Sequence, residues 1–527
     1  MIERKTQNPQ YWASEFSIEP DDLQYLSTLL VDDELPLGAK ELGRALVRFR
    51  CQAEEALIEQ VISQGTLYQP QGSYEVGDKL VFAALGYRVG EVVKVRAGRN
   101  PEYGEFRVVK VDLEGERKKR EFAAELQTDH VLNQTASSSA DRSLRSADEL
   151  AAQYGASIGK LLEERLEAES DFVRLAGSWF RRDLLVDVNT GHLNLAEAVL
   201  DVAEGGPLPT EDLLGDLELP EEITPQLRIF SLNYALQEDE RFDEVGPAGE
   251  VLWFLRRLQP ENVRFVPARL RPSPAEYDPA VLTSEMLALE EDLDDEWSDW
   301  DGVAEPVDRA TAVLNYSHWR SGTLPLSRRL AGVFPTGRTQ RIRFTFVDRE
   351  TGVEMPGWVV REARYAHGLR DWYLEHEIPV GAYLELERGE KPGTVVVGPR
   401  SGRPRREWIR VALPVDRRLT FEMRKQLVPC DYDELRVLAV EDLDAMSDVR
   451  SRVEEQNLSV DRLVADLFPE LAKLSPQGTM HAATLYVAMN AVKRLPPGPI
   501  LAALVCSDSY SPVGDNYWVL RVDREEE

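Results

Sequence analysis

Along residues 19–63 apolar side chains recur at steps of three and four, so that Leu42, Leu46, Phe49, Ala53 and Leu57 fall on one face of a helix. The pattern predicts two helices, PDDLQYLSTLLVDDE and LPLGAKELGRALVRFRCQAEEALIEQVIS, joined by the short turn ELPLG. This N-terminal helical segment, residues 1–65, reads as a helix-turn-helix or as an ordinary helical hairpin. After Gly65 the period changes to two. The stretch YEVGDKLVFAALGYRVGEVVKVRAGRNPEYGEFRVVKVDLEGERKKREFAAEL alternates apolar and polar positions between glycine-containing turns, which predicts a small β-barrel over residues 66–132.

Further on, one pattern is used repeatedly. RFDEVGPAGEVLWFL, from Arg241, and SYSPVGDNYWVLRV, from Ser509, each place an aromatic residue, then Val-Gly, a short polar turn, and Trp within an apolar run. Glycine permits the tight turn of a hairpin, and a large apolar side chain on the returning strand pins that hairpin to whatever lies beneath it. Trp253 and Trp518 are placed for this, with Phe242 and Tyr510 on the outgoing strands. Helical segments precede both hairpins: HLNLAEAVLDVAE, LPTEDLLGDL and TPQLRIFSLNYALQEDE before the first, SVDRLVADLFPELAKL, HAATLYVAMNAVKRL and PGPILAALVCSD before the second. A third version runs SADELAAQYG, SIGKLLEERLEAES, DFVRLAGSWFRRD. Three helices followed by a two-stranded wing is the winged-helix design, and its recurrence predicts an internal repeat: a partial winged helix over 149–190, winged helices over 191–272 and 427–527.

Charge separates these segments. The Ser-rich, polar stretch 133–148 reads as a linker. Residues 273–308 read as an acidic tether with thirteen Asp and Glu, no Lys or Arg, and two embedded tryptophans, Trp297 and Trp300. Residues 309–425 reverse the balance, with 22 Lys and Arg against 13 Asp and Glu. A local excess of about nine positive charges brings a phosphate backbone within reach of a chain whose formal net charge is -31. The acidic segment 285–301 is expected to fold back over this basic region and compete with nucleic acid there.

Composition bounds the rest. At 527 residues with 43% hydrophobic content the chain holds several cores. Cys51, Cys430 and Cys506 stand far apart, which excludes a disulfide framework and a cysteine-built zinc site. The N-terminus lacks the apolar run of a signal peptide and nothing approaches a membrane span, so a cytoplasmic protein without membrane partners is expected.

Three resemblances attach to these residues. VGDKLVF and GEVVKV resemble the opening strands of Src-homology and KOW barrels, and Arg117, Lys118, Lys119 and Arg120 mark either a phosphate contact or a solvated turn. ALQEDERFDEVGPAGEVLWFL resembles the end of the HARE-HTH winged-helix family, which implies recognition in chromatin, restriction or polymerase settings. GTLPLSRRLAGVFP, FTFVDRETGVEMPGWVV and GLRDWYLEHEIPVGAYLELER resemble the plant-type, auxin-response-factor-like DNA-binding pseudobarrel, whose fold also serves some bacterial restriction enzymes. That resemblance implies a pseudobarrel-like basic β domain over 309–426 with two arms gripping the major groove. The first arm would hold Arg320, Ser321, Thr323, Arg328 and Arg329, and the second Arg361, Arg364 and Tyr365. Guanidinium groups suit such work because they pair bidentately with guanine edges and phosphate oxygens; the alternative is that they serve as surface partners of the many carboxylates.

In the winged helix 191–272 the candidate base-reading residues Arg228, Asn233 and Gln237 are followed by the repelling run Glu238, Asp239, Glu240. Lys493 and Arg494 offer a better-placed pair in the C-terminal copy. The six histidines form no metal motif, and His367, Asp371, Glu375 and His376 read as solvated helix surface. No phosphate-binding loop, nucleophile elbow or other catalytic motif is present in the sequence, so no catalytic residue, metal or cofactor is assigned. The fold class expected is multidomain α+β: winged helices, one small SH3/KOW-like barrel and one pseudobarrel-like domain. The function expected is non-enzymatic binding of double-stranded DNA in bacterial transcription control or defence; the alternative is a scaffold whose winged helices bind proteins.

Overall fold

The computed structural model describes residues 4–33, 35–128, 144–175, 177–217, 219–220, 222–298 and 305–521. Its architecture mixes helices with several separate sheets, and the chain divides into two compact units, Met1–Val188 with Leu219–Tyr234, and Asn189–Glu218 with Ala235–Glu527.

In the first unit the helix Pro20–Asp33 leads through strand Leu37–Gly38 into helix Ala39–Ile62, and helix Ala147–Glu167 is followed by strands Phe172–Leu175 and Ser178–Arg181. The three strands form one sheet with the last in the middle, Trp179 opposite Leu37 on one side and Arg174 on the other. Trp179 is 2% exposed and shares a core with Leu42, Leu46, Leu150, Ile158 and Leu162. The N-terminal helical segment and the segment 149–190 therefore belong to one module, which corrects the expectation of two domains. Ala147–Glu167 is also one helix, where the sequence suggested a break after Gly155. It starts at 147, inside the expected linker, because Ser146 accepts from the Glu149 amide while Glu149 reaches back to the Ser146 amide; residues 133–143 of that linker lie outside the described residues.

Glycine inside a helix ordinarily costs stability. Here it is required by close approach: a Cβ on Gly43 would fall 2.2 Å from the Gly155 carbonyl oxygen, and one on Gly159 would fall 2.5 Å from that of Ala39.

Between the two long helices the chain makes five consecutive strands, Thr66–Leu67, Lys79–Phe82, Arg88–Ala97, Arg107–Leu113 and Arg120–Ala124, curled around Tyr74, Leu80, Phe82, Val92, Val109 and Val111. The Glu125 and Leu126 amides donate back to the Gly72 and Pro70 carbonyls at 3.0 and 2.9 Å, bringing the sheet's ends together. The alternation over 66–126 thus builds the expected barrel-like sheet, inserted within the surrounding helical module. Of its basic turn, Lys119 pairs with Asp112 at 3.2 Å and Arg120 with Glu116 at 2.8 Å, as a solvated turn would.

The second unit repeats the same order of elements. Helix Thr190–Val202, strand Leu208–Pro209 and helix Thr210–Leu214 precede strands Phe242–Glu244 and Leu252–Leu255, and Trp253, 1% exposed, occupies the middle strand of three. The intervening helix Pro225–Glu238 begins in the first unit, where Leu227 and Phe230 join the core and Asn233 is 4% exposed. At the C-terminus, helix Val460–Ala472, strand Thr479–His481, helices Ala482–Val492 and Pro497–Cys506, and strands Tyr510–Gly514 and Tyr517–Leu520 complete the third occurrence, with Trp518 between Met480 and Pro512.

The basic region is two structures and not one. Seven strands form a mixed sheet in the spatial order Arg309–Val313, Tyr383–Arg388, Thr394–Pro399, Arg341–Asp348, Glu354–Val360, Tyr365–His367, Thr323–Pro325. Strand Arg341–Asp348 alternates strictly, sending Ile342, Phe344 and Phe346 into a core with Leu324, Leu384 and Val397. The seven strands end at Pro399. Residues Arg405–Val415 and Arg418–Val428 form a separate long hairpin that pairs in parallel with Ala439–Val440.

The acidic stretch is likewise not a free tether. Thr283 caps a helix, Ser284–Leu293, whose Met286, Leu289 and Leu293 enter a core shared with the C-terminal helices. Its apolar residues three and four apart override its charge, because burying that face offsets the cost of ordering it. Residues 299–304, with Trp300, lie outside the described residues.

Candidate nucleic-acid interface

The acidic strap packs on the residues expected to grip DNA. Arg328 approaches Glu291 at 3.5 Å, Arg329 donates to the Glu291 carbonyl at 2.8 Å, and the Arg329 amide donates to Asp294 at 3.3 Å. Arg364 adopts a left-handed backbone, φ 54°, donates to the Glu296 carbonyl at 2.7 Å and lies 5.0 Å from the centre of the Trp297 ring. Arg436 pairs with Asp292. The exposed pairs among these contribute little; what holds the strap is its apolar face and the ion cluster at its end.

That cluster is wholly buried. Arg494 meets Asp295 at 2.7 Å and Glu296 at 2.7 Å, His318 lies 3.1 Å from Glu296, and the Tyr486 hydroxyl donates to Asp295. Burial works to raise the Glu296 carboxyl, but attraction from Arg494 and His318 overrides it and holds the group well below the usual carboxylate range. Arg494 is therefore a structural cation and not a groove-reading one. Lys493 is half-buried and donates to the Leu458 carbonyl at 2.7 Å, and burial draws its pKa down.

The remaining expected contacts divide by burial. Ser321, Thr323 and Tyr365 are at most 5% exposed. Thr323 Oγ1 lies 2.8 Å from His318 Nδ1, and the Tyr365 hydroxyl donates to the Asn262 carbonyl. Arg361 is exposed and donates to the Gly337 and Thr339 carbonyls at 3.0 and 3.2 Å; Arg320 is half-buried, with its Nε buried. His367 and His376 are not the solvated helix surface expected: His376 pairs with Asp348 at 3.1 Å, and His367 ends the strand Tyr365–His367, where burial pushes its imidazole down to about 4 and keeps it neutral.

A further group of exposed cations lies on the long hairpin. On one face of the long hairpin Ile409 and Val428 pack on Val437, anchoring the ribbon. Residues directly opposite on the other face are Arg406 with Leu427 and Trp408 with Lys425. Trp408 is 63% exposed and Leu427 58%. From Arg403 to Val428 there are eight Lys and Arg and three Asp and Glu. Arg405, Arg417 and Arg424 have carboxylate partners, whereas Arg403, Arg406, Arg418 and Lys425 are exposed with none within salt-bridge reach among the described residues. The signal was in the sequence: REWIRVALPVDRRLTFEMRKQLV is an alternating pair around a tight Asp-Arg turn.

Comparison of the chain with protein-family models, with curated proteins and with solved structures finds no match. Among the described residues no helix is long and apolar enough to cross a membrane.

Proposed function

We propose that this chain is a non-enzymatic DNA-binding protein, that its three repeats are winged helices, and that its seven-stranded sheet is a DNA-binding pseudobarrel. The observation that carries the reading is the hairpin Arg405–Val428, a ribbon anchored on one face and presenting Arg406, Lys425 and Trp408 on the other. A two-stranded ribbon fits the major groove, and cations flanking an exposed aromatic suit phosphates beside bases. A concentration of unpaired cations on this ribbon also explains how a chain of net charge -31 approaches a polyanion. The repeats support the reading through their element order, helix, strand, helix, helix and two strands with a buried Trp in the central strand. The seven-stranded sheet supports it through its open order, with its first two strands at opposite edges. Transcription control or defence against foreign DNA is the setting this recognition fits. The scaffold alternative draws its support from Glu238, Asp239 and Glu240, which give the second repeat an anionic helix end that repels phosphate.

The test is binding of duplex DNA by the full chain over a salt series. Replacing Arg406 and Lys425 by Ala is expected to weaken binding and to reduce the salt slope by about two. Unchanged affinity and slope in that variant would remove the hairpin from the interface.

A further inference from the structure

A second cationic site lies away from the hairpin. A cavity of 370 Å³ is lined by Arg269, Arg320, Arg370 and Arg450, with Glu454 the one carboxylate among its lining residues. Elements distant in sequence build it. Arg320 and Ser321 end the helix Tyr316–Ser321, Arg370 opens the helix Arg370–Glu375, and Arg450 comes from Leu443–Glu455. Gly322, at φ +66°, lets the first two helices meet; a Cβ there would stand 2.4 Å from that of Arg370.

The hydrogen-bond inventory of this cavity does not close. Arg450 gives Nε to Glu454 at 2.8 Å and Nη2 to the Ala268 carbonyl at 2.7 Å. Arg269 gives Nη2 to Ser447 at 3.0 Å, but its Nη1 is buried without a partner. Arg320 Nε and Ser321 Oγ are also buried without partners, Ser321 being 5% exposed, and both residues line the same space. Buried donors left unmade cost more than made ones return, and three residues that carry them line this one cavity. Burial pulls the Arg269 pKa down and the charges of Arg450 and Arg320 pull it further, against an opposing effect of Tyr316. Like charges held together in this way are relieved by an anion.

We propose that this cavity binds a phosphate monoester. Guanidinium forks match tetrahedral oxyanions, a dianion balances the excess of three positive charges better than a carboxylate, and the space falls in the range of ligand pockets, about 300–1,000 Å³. A small phosphorylated metabolite and the 5′-phosphate end of a nucleic-acid strand share this chemistry.

The experiment is calorimetric titration of the full chain, at fixed ionic strength, with inorganic phosphate, a nucleoside 5′-monophosphate, and a dinucleotide with and without a 5′-phosphate. The phosphorylated probes are expected to bind, and the 5′-hydroxyl dinucleotide to bind weaker by about tenfold or more. Arg269→Gln and Ser451→Glu, the latter at the exposed rim, are each expected to weaken phosphate binding by about tenfold or more, with circular dichroism unchanged for the rim variant. A monophosphate outbinding the phosphorylated dinucleotide identifies a free metabolite, and the reverse identifies a strand end. No binding of any phosphorylated probe, equal binding of the two dinucleotides, or full binding by a folded Ser451→Glu overturns the proposal. The double hairpin variant is expected to leave phosphate binding unchanged, so this site and the DNA-binding reading fail separately.

Discussion

Replacing Arg494 by Met would show what the buried ion cluster contributes. The guanidinium is fully buried and has carboxylate oxygens of Asp295 and Glu296 at 2.7 Å each. At an effective dielectric near 20, two unit charges about 4 Å apart attract by about 4 kcal/mol. Methionine would leave two adjacent carboxylates without their shared cation, and breaking a buried pair from one side costs about 3–5 kcal/mol. The loss is expected in urea unfolding followed by tryptophan fluorescence, together with faster proteolysis near Ser284–Leu293, since the strap's last turn is held by that cluster. Adding Asp295→Asn and Glu296→Gln to the Met variant is expected to recover most of the loss, because neutral groups tolerate burial that unpaired charges do not. A Met variant within about 0.5 kcal/mol of the parent, the size of an ordinary surface change, would refute the cluster as the strap's anchor.

Other outcomes follow from the same contacts. Glu296 has a folded pKa depressed below its unfolded value of about 4.3, so its contribution is present above that pH and lost as pH falls below it; acid unfolding should shift to lower pH in Glu296→Gln relative to its own neutral-pH stability. Glu291→Gln with Asp292→Asn should tighten duplex binding modestly at low salt by removing the carboxylates beside Arg328 and Arg329, and an unchanged affinity would mean those carboxylates do not compete with DNA. Gly159→Val should destabilise the first unit by about 1–3 kcal/mol or more in thermal unfolding, since its Cβ meets the Ala39 carbonyl. Trp518→Ala should cost about 3–5 kcal/mol and loosen the C-terminal hairpin, detectable as amide exchange in Tyr510–Leu520.

Local pattern accounts for what was legible. An aromatic, a Val-Gly step and a Trp spaced for a hairpin reveal themselves within fifteen residues, and the period-two alternation of the barrel does the same. The module that joins Ala39–Ile62 to Ala147–Glu167 was hidden, because an inserted barrel separates helices whose only shared sign is glycine. The arginines of the β domain were equally ambiguous. Arg328 and Arg494 carry the same charge in the sequence as Arg406, yet the first meets Glu291, the second is sealed with Asp295 and Glu296, and the third faces water.

By itself the amino-acid order determined the repeat, the turn positions, the barrel and the segregation of acidic from basic stretches, all of which follow from neighbours within a few residues. Tertiary structure alone decided which charges cancel, that an acidic run becomes a docked helix, and where unpaired guanidinium groups converge. Electrostatic energy depends on distance through space and on exclusion of water, and neither is fixed until the chain has folded.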